Sequence, residues 1–235
     1  MSHSFEPPAT RMFRRRVHAL VIGVVLFVSG MVLCTLVALD ATDQWVQDAD
    51  DGWLELMEDI RTPWLVRVSK ALSFIGGTTF TAPLRIAVAV ALAWRRRWLQ
   101  LGAFAAVVLT SELCVGPLKA LIDRTRPPGS LIETSGASMP SGHAVAGSVT
   151  AFGLVVVLIP STPRRWWWIG VAAALAGLIA LSRTMLGAHW LTDVIAGVCI
   201  GTGLSLLWPA VLEITRAHYR PPPVPLDDPV PASGA

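Results

Sequence analysis

The sequence predicts an all-α fold: a polytopic membrane helix bundle with six transmembrane helices and both termini in the cytoplasm. Composition is the first observation behind this. Hydrophobic residues make up 53% of the 235 residues and charged residues only 15%, where an ordinary soluble domain carries about 25% charge. Mean hydropathy is accordingly high, at +0.57. The second observation is that the apolar residues come in runs long enough to cross roughly 30 Å of hydrocarbon. The third is that arginines cluster at alternate run ends, at Arg14, Arg15 and Arg16, at Arg95, Arg96 and Arg97, and at Arg164 and Arg165, as cytoplasmic loops do.

The first run, Val17 to Leu39, has no formal charge apart from His18 and follows the first arginine cluster, so it reads as a retained anchor with its start in the cytoplasm. The acidic stretch DATDQWVQDADDGWLELMEDIRTPW follows and reads as an outside loop or a short helix lying along the membrane surface. The second span, Thr78 to Trp94, ends at Arg95 and returns the chain to the cytoplasm; Arg85 inside it has no explanation at this level. The third span runs from Trp98 to Leu118 and emerges at KALIDRTRP, after which PPGSLIETSGASMP forms an outside loop. The fourth starts at PSGH and ends at Pro160, before the cytoplasmic turn STPRR. The fifth, Trp166 to Leu181, leads outside to SRTMLGAHWLTD, and the sixth runs from near His189 to near Trp208.

Residues 17–208 are thus expected to form one membrane domain, between a cytoplasmic tail of residues 1–16 and a proline-rich, disordered cytoplasmic tail of residues 209–235. Ten tryptophans against one tyrosine suit the water–lipid boundary. Net charge is +3, but the basic residues flank apolar runs, so topology accounts for them and no nucleic-acid partner is expected. Cys34, Cys114 and Cys199 all fall in apolar segments and read as buried free thiols, with neither a disulfide framework nor zinc spacing.

With this topology, KALIDRTRP, PSGH and SRTMLGAHWLTD all arrive at one extracytoplasmic face. His189 and Asp193 are four residues apart and face each other along a helix. A carboxylate accepting the Nδ1 proton leaves Nε2 free as nucleophile or base. The same pair could simply pin a helix end, or ligate a metal; the surrounding cations disfavour the metal. Lys119, Arg126 and Arg183 match phosphate oxygens, although basic residues also snorkel to headgroups, the reading that suits Arg124. Pro140 and Ser141 suit a helix start, and Gly142 lets an oxyanion approach amides that the helix leaves unpaired. His143 stands at the rim of that cradle, placed to donate a proton. Glu112 lies seven residues before Lys119, within a span, and is expected to pair with a basic group or polar neighbours.

These blocks resemble the type 2 phosphatidic acid phosphatase family, membrane lipid-phosphate phosphatases that share a phosphate pocket with vanadium haloperoxidases. Lys119, Arg126 and Pro127 match its K-x6-R-P motif. Pro140, Ser141, Gly142 and His143 match P-S-G-H, and Ser182, Arg183, His189 and Asp193 match S-R-x5-H-x3-D. The resemblance covers roughly residues 17 to 208, and it implies catalysis without a metal or other cofactor, on a phosphorylated lipid in the cell membrane. It further implies that His189 attacks phosphorus, Asp193 orients it, and His143 protonates the leaving oxygen and then activates water. Lys119, Arg126, Ser141, Gly142 and Arg183 would hold the phosphoryl oxygens. Lipid phosphotransfer, vanadate-dependent halide oxidation and non-catalytic lipid binding or transport are the alternatives at this level, and the oligomeric state is not legible.

Overall fold

The structure is a computed structural model that describes residues 8–39 and 44–219. Expectations for residues 1–7, for the start of the acidic stretch at 40–43 and for the proline-rich tail from 220 onward lie outside the described residues. The described residues form eight helices and are all-α: α1 (Pro8–Ala38), α2 (Trp45–Asp59), α3 (Pro63–Gly76), α4 (Thr78–Trp94), α5 (Trp98–Ile122), α6 (Gly142–Leu158), α7 (Arg165–Met185) and α8 (Leu191–His218). Five stretches are long and apolar enough to cross a membrane: Arg16–Ala38, Pro63–Trp94, Trp98–Ile122, Arg165–Met185 and Leu191–His218. The remaining expected span, the fourth, corresponds to α6, which is apolar but has only 17 residues.

Local chemistry explains several boundaries. Thr62 caps α3, accepting from Leu65 N at 3.3 Å, with Pro63 in the first turn, where its missing N–H costs nothing. The second span is preceded by this extra helix, and Gly77, in an extended conformation, separates α3 from α4. The acidic segment is helical over α2 and buries Val46, Asp50 and Met57, so one of its carboxylates points inward. The first and last helices both overrun the expected span ends, reaching back to Pro8 and on through Pro209 to His218.

Helix α8 is the hub, packed against α1, α2, α5, α6 and α7. Around it lies a core of Cys34, Val107, Met139, Val145, Val149, Ala196, Ile200 and Leu204. Since lipid is as apolar as leucine, helices in a membrane gain from close backbone approach at small residues. A Cβ on Gly197 would come within 2.8 Å of Ser141 O, and one on Gly201 within 2.7 Å of Val145 O. The first turn of α6 is therefore pressed directly onto α8. Outward-facing Val21, Val25, Ile86, Leu109 and Leu113 are exposed, as a lipid-facing surface requires. Exposed Trp94, Trp98, Trp166 and Trp167 ring the end that carries the arginine clusters, where indole suits the boundary.

Arg85, unexplained by the sequence, is buried and joins three helices. Its Nε donates to Thr150 Oγ1 at 3.0 Å, NH1 to Glu112 Oε1 at 3.0 Å and NH2 to Ala146 O at 2.9 Å. Glu112 thus finds the basic partner expected of it, one helix away.

Packing of α1 on α8 is tightest at Gly203, where a Cβ would lie 2.6 Å from Phe27 N and 2.8 Å from Gly23 O. Backbone cannot yield as a side chain can. Gly203→Ala is expected to destabilise the detergent-solubilised protein by about 1–3 kcal/mol, the usual cost of overpacking. Gly102→Ala, which meets nothing within 4 Å, is the control and should leave the melting temperature unchanged or slightly raised. Equal melting temperatures for the two variants would contradict the close approach.

Candidate active site

Four helix ends meet at the end of the bundle opposite the arginine clusters: the last turns of α5 and α7 and the first turns of α6 and α8. They carry Lys119, Arg183, the Ser141–Gly142–His143 turn and Asp193. The long loop between α5 and α6 supplies Arg126, and the short one between α7 and α8 supplies His189. The second loop turns at Gly187, whose φ of 63° is a left-handed conformation that glycine adopts without strain. Ser141 N donates to Asp193 O at 3.0 Å, so the starts of α6 and α8 are joined by main chain. All eight residues expected at the site therefore lie at one end of the molecule.

Asp193 is fully buried and organises its surroundings. Oδ2 accepts from Trp190 N at 2.9 Å, which caps the start of α8, and also from the Ser138 hydroxyl. It lies 3.4 Å from His189 Nδ1, long for a hydrogen bond but in the right direction. Oδ1 accepts from Arg124 NH1 at 2.9 Å. On the other side of the imidazole, Arg126 NH1 is 3.2 Å from Nε2. An arginine can only donate, so that contact requires a lone pair on Nε2 and puts the ring proton on Nδ1, facing the carboxylate.

His189 is buried, and burial holds its pKa down at about 4 against the ordinary 6.5. The hydrogen bond and charge of Asp193 oppose this, while Arg126 and Arg183 add to it. The ring is consequently neutral at pH 7 and gains a proton only as pH falls towards 4. Burial likewise pulls Arg126 down from its ordinary value, with Asp193 opposing.

The cations are held by oxygens of the two loops and of α3. Arg126 donates from Nε to Gly136 O at 2.9 Å, from NH1 to Ala188 O at 2.7 Å and from NH2 to Ser135 O at 2.9 Å. Lys119 Nζ donates to Ala137 O, and Arg183 NH1 to the Ser73 hydroxyl. Arg183 Nε and Ser141 Oγ are buried without a partner among the described residues, and such groups are costly unless something accepts from them. A Cβ on Gly142 would enter open space, so nothing crowds the first amides of α6. His143 follows in that turn, within electrostatic reach of Arg183, His189, Arg126 and Lys119. Ser182, by contrast, donates to Ile179 O at 2.6 Å within its own helix.

One expectation is corrected. Arg124 is not a headgroup-boundary residue: its side chain is 10% exposed and bridges Asp193 to Asp50, with NH2 2.7 Å from Asp50 Oδ2. Apposed carboxylates on α2 and α8 need a cation between them, and this guanidinium also stacks 5.4 Å from the Trp190 ring centre. Asp50 itself accepts from Thr192 N at 2.9 Å and Thr192 Oγ1 at 2.6 Å, capping α8 from another helix. Asp50 and Ser138 went unnoticed in the sequence. For Asp50 a signal existed, because it shares a helical stripe with Val46 and Met57 (i, i+4, i+11); for Ser138 there was none. Among the described residues no three His, Cys, Asp or Glu side chains gather as metal ligands.

Residues 100–216 match the family model described as the PAP2 superfamily. The chain is 30% identical over 187 residues to phosphatidylglycerophosphatase B of Bacillus subtilis (strain 168), covering 77% of this chain and 90% of that protein. It is 34% identical over 157 residues to lipid A 1-phosphatase of Rhizobium etli, covering 61% of this chain and 63% of that protein. Among solved structures, the first transmembrane PAP2 type phosphatidylglycerolphosphate phosphatase from Bacillus subtilis superposes with a TM-score of 0.67 at 28% identity. That match covers 84% of this chain and 97% of the other.

The depressed His189 pKa is directly measurable. In protein with isotope-labelled histidine, the ring signal lost in His189→Gln should stay neutral from pH 8 to 5 and titrate near 4. Asp193→Asn removes the group that favours the cation and should lower that value further. A midpoint near 6.5 would show that the ring is not desolvated as the geometry requires.

Proposed function

Because the chain belongs to the PAP2 superfamily and is a multi-pass membrane lipid-phosphate phosphatase, we propose that it works through a phosphohistidine on His189 at an extracytoplasmic site. The observation that carries this is the placement of His189 between Asp193 at Nδ1 and the guanidinium of Arg126 at Nε2. Nε2 then presents its lone pair where a phosphoryl group bound by Arg126 would lie. Attack forms the N–P bond as the P–O bond to the lipid breaks, and His143 gives that oxygen its proton. His143, now neutral, takes a proton from water, which displaces His189 and releases inorganic phosphate.

Charge stabilisation supports this division of labour. Phosphoryl transfer relies mainly on positioning and on neutralising the equatorial oxygens. Lys119, Arg126 and Arg183 supply the cations, and the Gly142 amide and Ser141 hydroxyl supply neutral donors. The buried, unpartnered Arg183 Nε and Ser141 Oγ are suited to that task. Asp193 stabilises the imidazolium that forms as the ring commits its second nitrogen. The phosphorylated lipids named for the relatives, phosphatidylglycerophosphate and lipid A, support a phosphorylated lipid as the substrate.

The catalytic unit in this reading is residues 17–208, with α6 as the fourth of six spans. Sidedness follows from the arginine clusters, which occupy the end away from the site. Arg16 bonds Glu213 at 2.9 Å, so the early part of α1 lies beside the last turns of α8 on that arginine-rich side, the cytoplasm by the positive-inside rule.

Two experiments test this reading. With an aryl phosphate, whose leaving group needs little protonation, His143→Ala should give a burst of about one phenol per site and then stall, because water is not activated. Intact-protein mass should find the trapped phosphate on His189, labile in acid and stable in alkali. His189→Ala should give no burst, and a burst from it would overturn the assignment. For sidedness, Ser135→Cys and Thr162→Cys are placed in a chain lacking Cys34, Cys114 and Cys199. A membrane-impermeant maleimide on intact cells should label position 135 and spare 162; the reverse pattern would put the site in the cytoplasm.

A further inference from the structure

Beside His143 lies a cleft of about 200 Å³, walled by Gly76 and Thr78 at the α3–α4 junction, by Glu112 and Val115 on α5, and by His143 and Ala146 on α6. His143 lines it, and its Nε2 reaches the α3–α4 junction, where a Cβ on Gly77 would meet it at 3.3 Å. In the mechanism above, the oxygen that leaves does so at His143. This cleft therefore receives the leaving group, an inference that rests on the reading of His143 as the acid.

Its one carboxylate is Glu112. Seven residues before Lys119, it sits about 10 Å deeper along α5, where an ionisable group is costly and usually functional. Oε1 is held by Arg85 at 3.0 Å. Oε2 has no partner among the described residues, and the side chain is 66% exposed. Arg85 already has two other acceptors, Thr150 Oγ1 and Ala146 O, so its satisfaction does not depend on Glu112 alone. The pair leaves Oε2 of Glu112 as a fixed, open carboxylate oxygen that can accept a hydrogen bond in the cleft.

We propose that Glu112 selects the leaving group: it accepts a hydrogen bond from a hydroxyl on the alcohol that carries the phosphate, and it repels leaving groups that are themselves anionic. The favoured substrates are lipid phosphomonoesters of a polyol that keeps a free hydroxyl. Prenyl diphosphates, which depart as a phosphorylated alcohol, bring an anion up to the open carboxylate oxygen of Glu112 and are disfavoured.

Four substrates on one protein preparation test this, because ratios between them do not depend on the active fraction. The first pair is 1-oleoyl lysophosphatidate, with a free hydroxyl beside the phosphate-bearing carbon, and the oleoyl ester of propane-1,3-diol phosphate, which lacks it. The second pair is farnesyl diphosphate and farnesyl monophosphate. The wild type should prefer the hydroxylated lipid in kcat/KM by about tenfold or more, as a hydrogen bond to a charged acceptor implies. Glu112→Gln keeps an acceptor for Arg85 and so preserves the fold. It should reduce that preference severalfold and raise the diphosphate-to-monophosphate ratio. Equal loss on all four substrates, unchanged ratios, or no wild-type preference would each overturn the proposal and leave Glu112 a structural partner of Arg85. Turnover surviving in His189→Ala would instead remove the phosphohistidine reading beneath it, a separate and distinguishable failure.

Discussion

A carboxylate with no solvent exposure is the constraint around which the end of this bundle away from the arginine clusters is built. Burying Asp193 costs several kcal/mol unless its oxygens are fully bonded, and the chain meets that demand from four directions. Trp190 N comes from its own helix start, the Ser138 hydroxyl from the long loop, Arg124 from the end of α5 and His189 from the turn between α7 and α8. Each bond also places something else. Trp190 N fixes where α8 begins, Ser138 holds the loop that carries Arg126, and Arg124 brings α2 in through Asp50. The imidazole is oriented as a consequence of satisfying the carboxylate.

Positive charge is the second consequence of that arrangement. Lys119, Arg126 and Arg183 crowd one pocket, which like charges would resist. Loop carbonyls from Ser135 to Ala137, together with Ala188 O and the Ser73 hydroxyl, accept from them. Neutral acceptors hold the cations in place without cancelling their charge. A phosphoryl group entering such a pocket would meet donors already positioned, so little reorganisation is left for the reaction itself. Helix α6 contributes its first amides because glycines on α8 let the two backbones touch, a packing mode that the membrane itself favours.

The family assignment and the geometry have different authority. Membership of the PAP2 superfamily rests on the match of residues 100–216 and on a relative matched over 90% of its length. The roles proposed for His189, His143 and the phosphate-holding residues come from the motif resemblance, and for His189 the contacts with Asp193 and Arg126 support the proposal. Phosphoryl transfer constrains the residues around phosphorus more tightly than it constrains the lipid attached. The leaving-group cleft, with Glu112 and Arg85, belongs to the less constrained part of the molecule, where relatives with differently named substrates have reason to diverge.

By itself the sequence determined which segments are apolar, where arginines end them, and which residues match the motifs of a phosphatase family. These are local properties: hydropathy over one span, a fixed four-residue spacing from His189 to Asp193, a glycine where the chain must turn. It also pointed to Glu112 needing a basic group or polar neighbours as partner. Tertiary structure alone decided who that partner is, that Arg124 turns inward, that Asp50 caps a helix 142 residues away, and that Ser138 reaches Asp193. Buried polar pairs are chosen by which helix faces meet, and helix faces meet according to side-chain volume summed over the whole bundle. A single chain read in order contains every one of those residues and none of their neighbours in space.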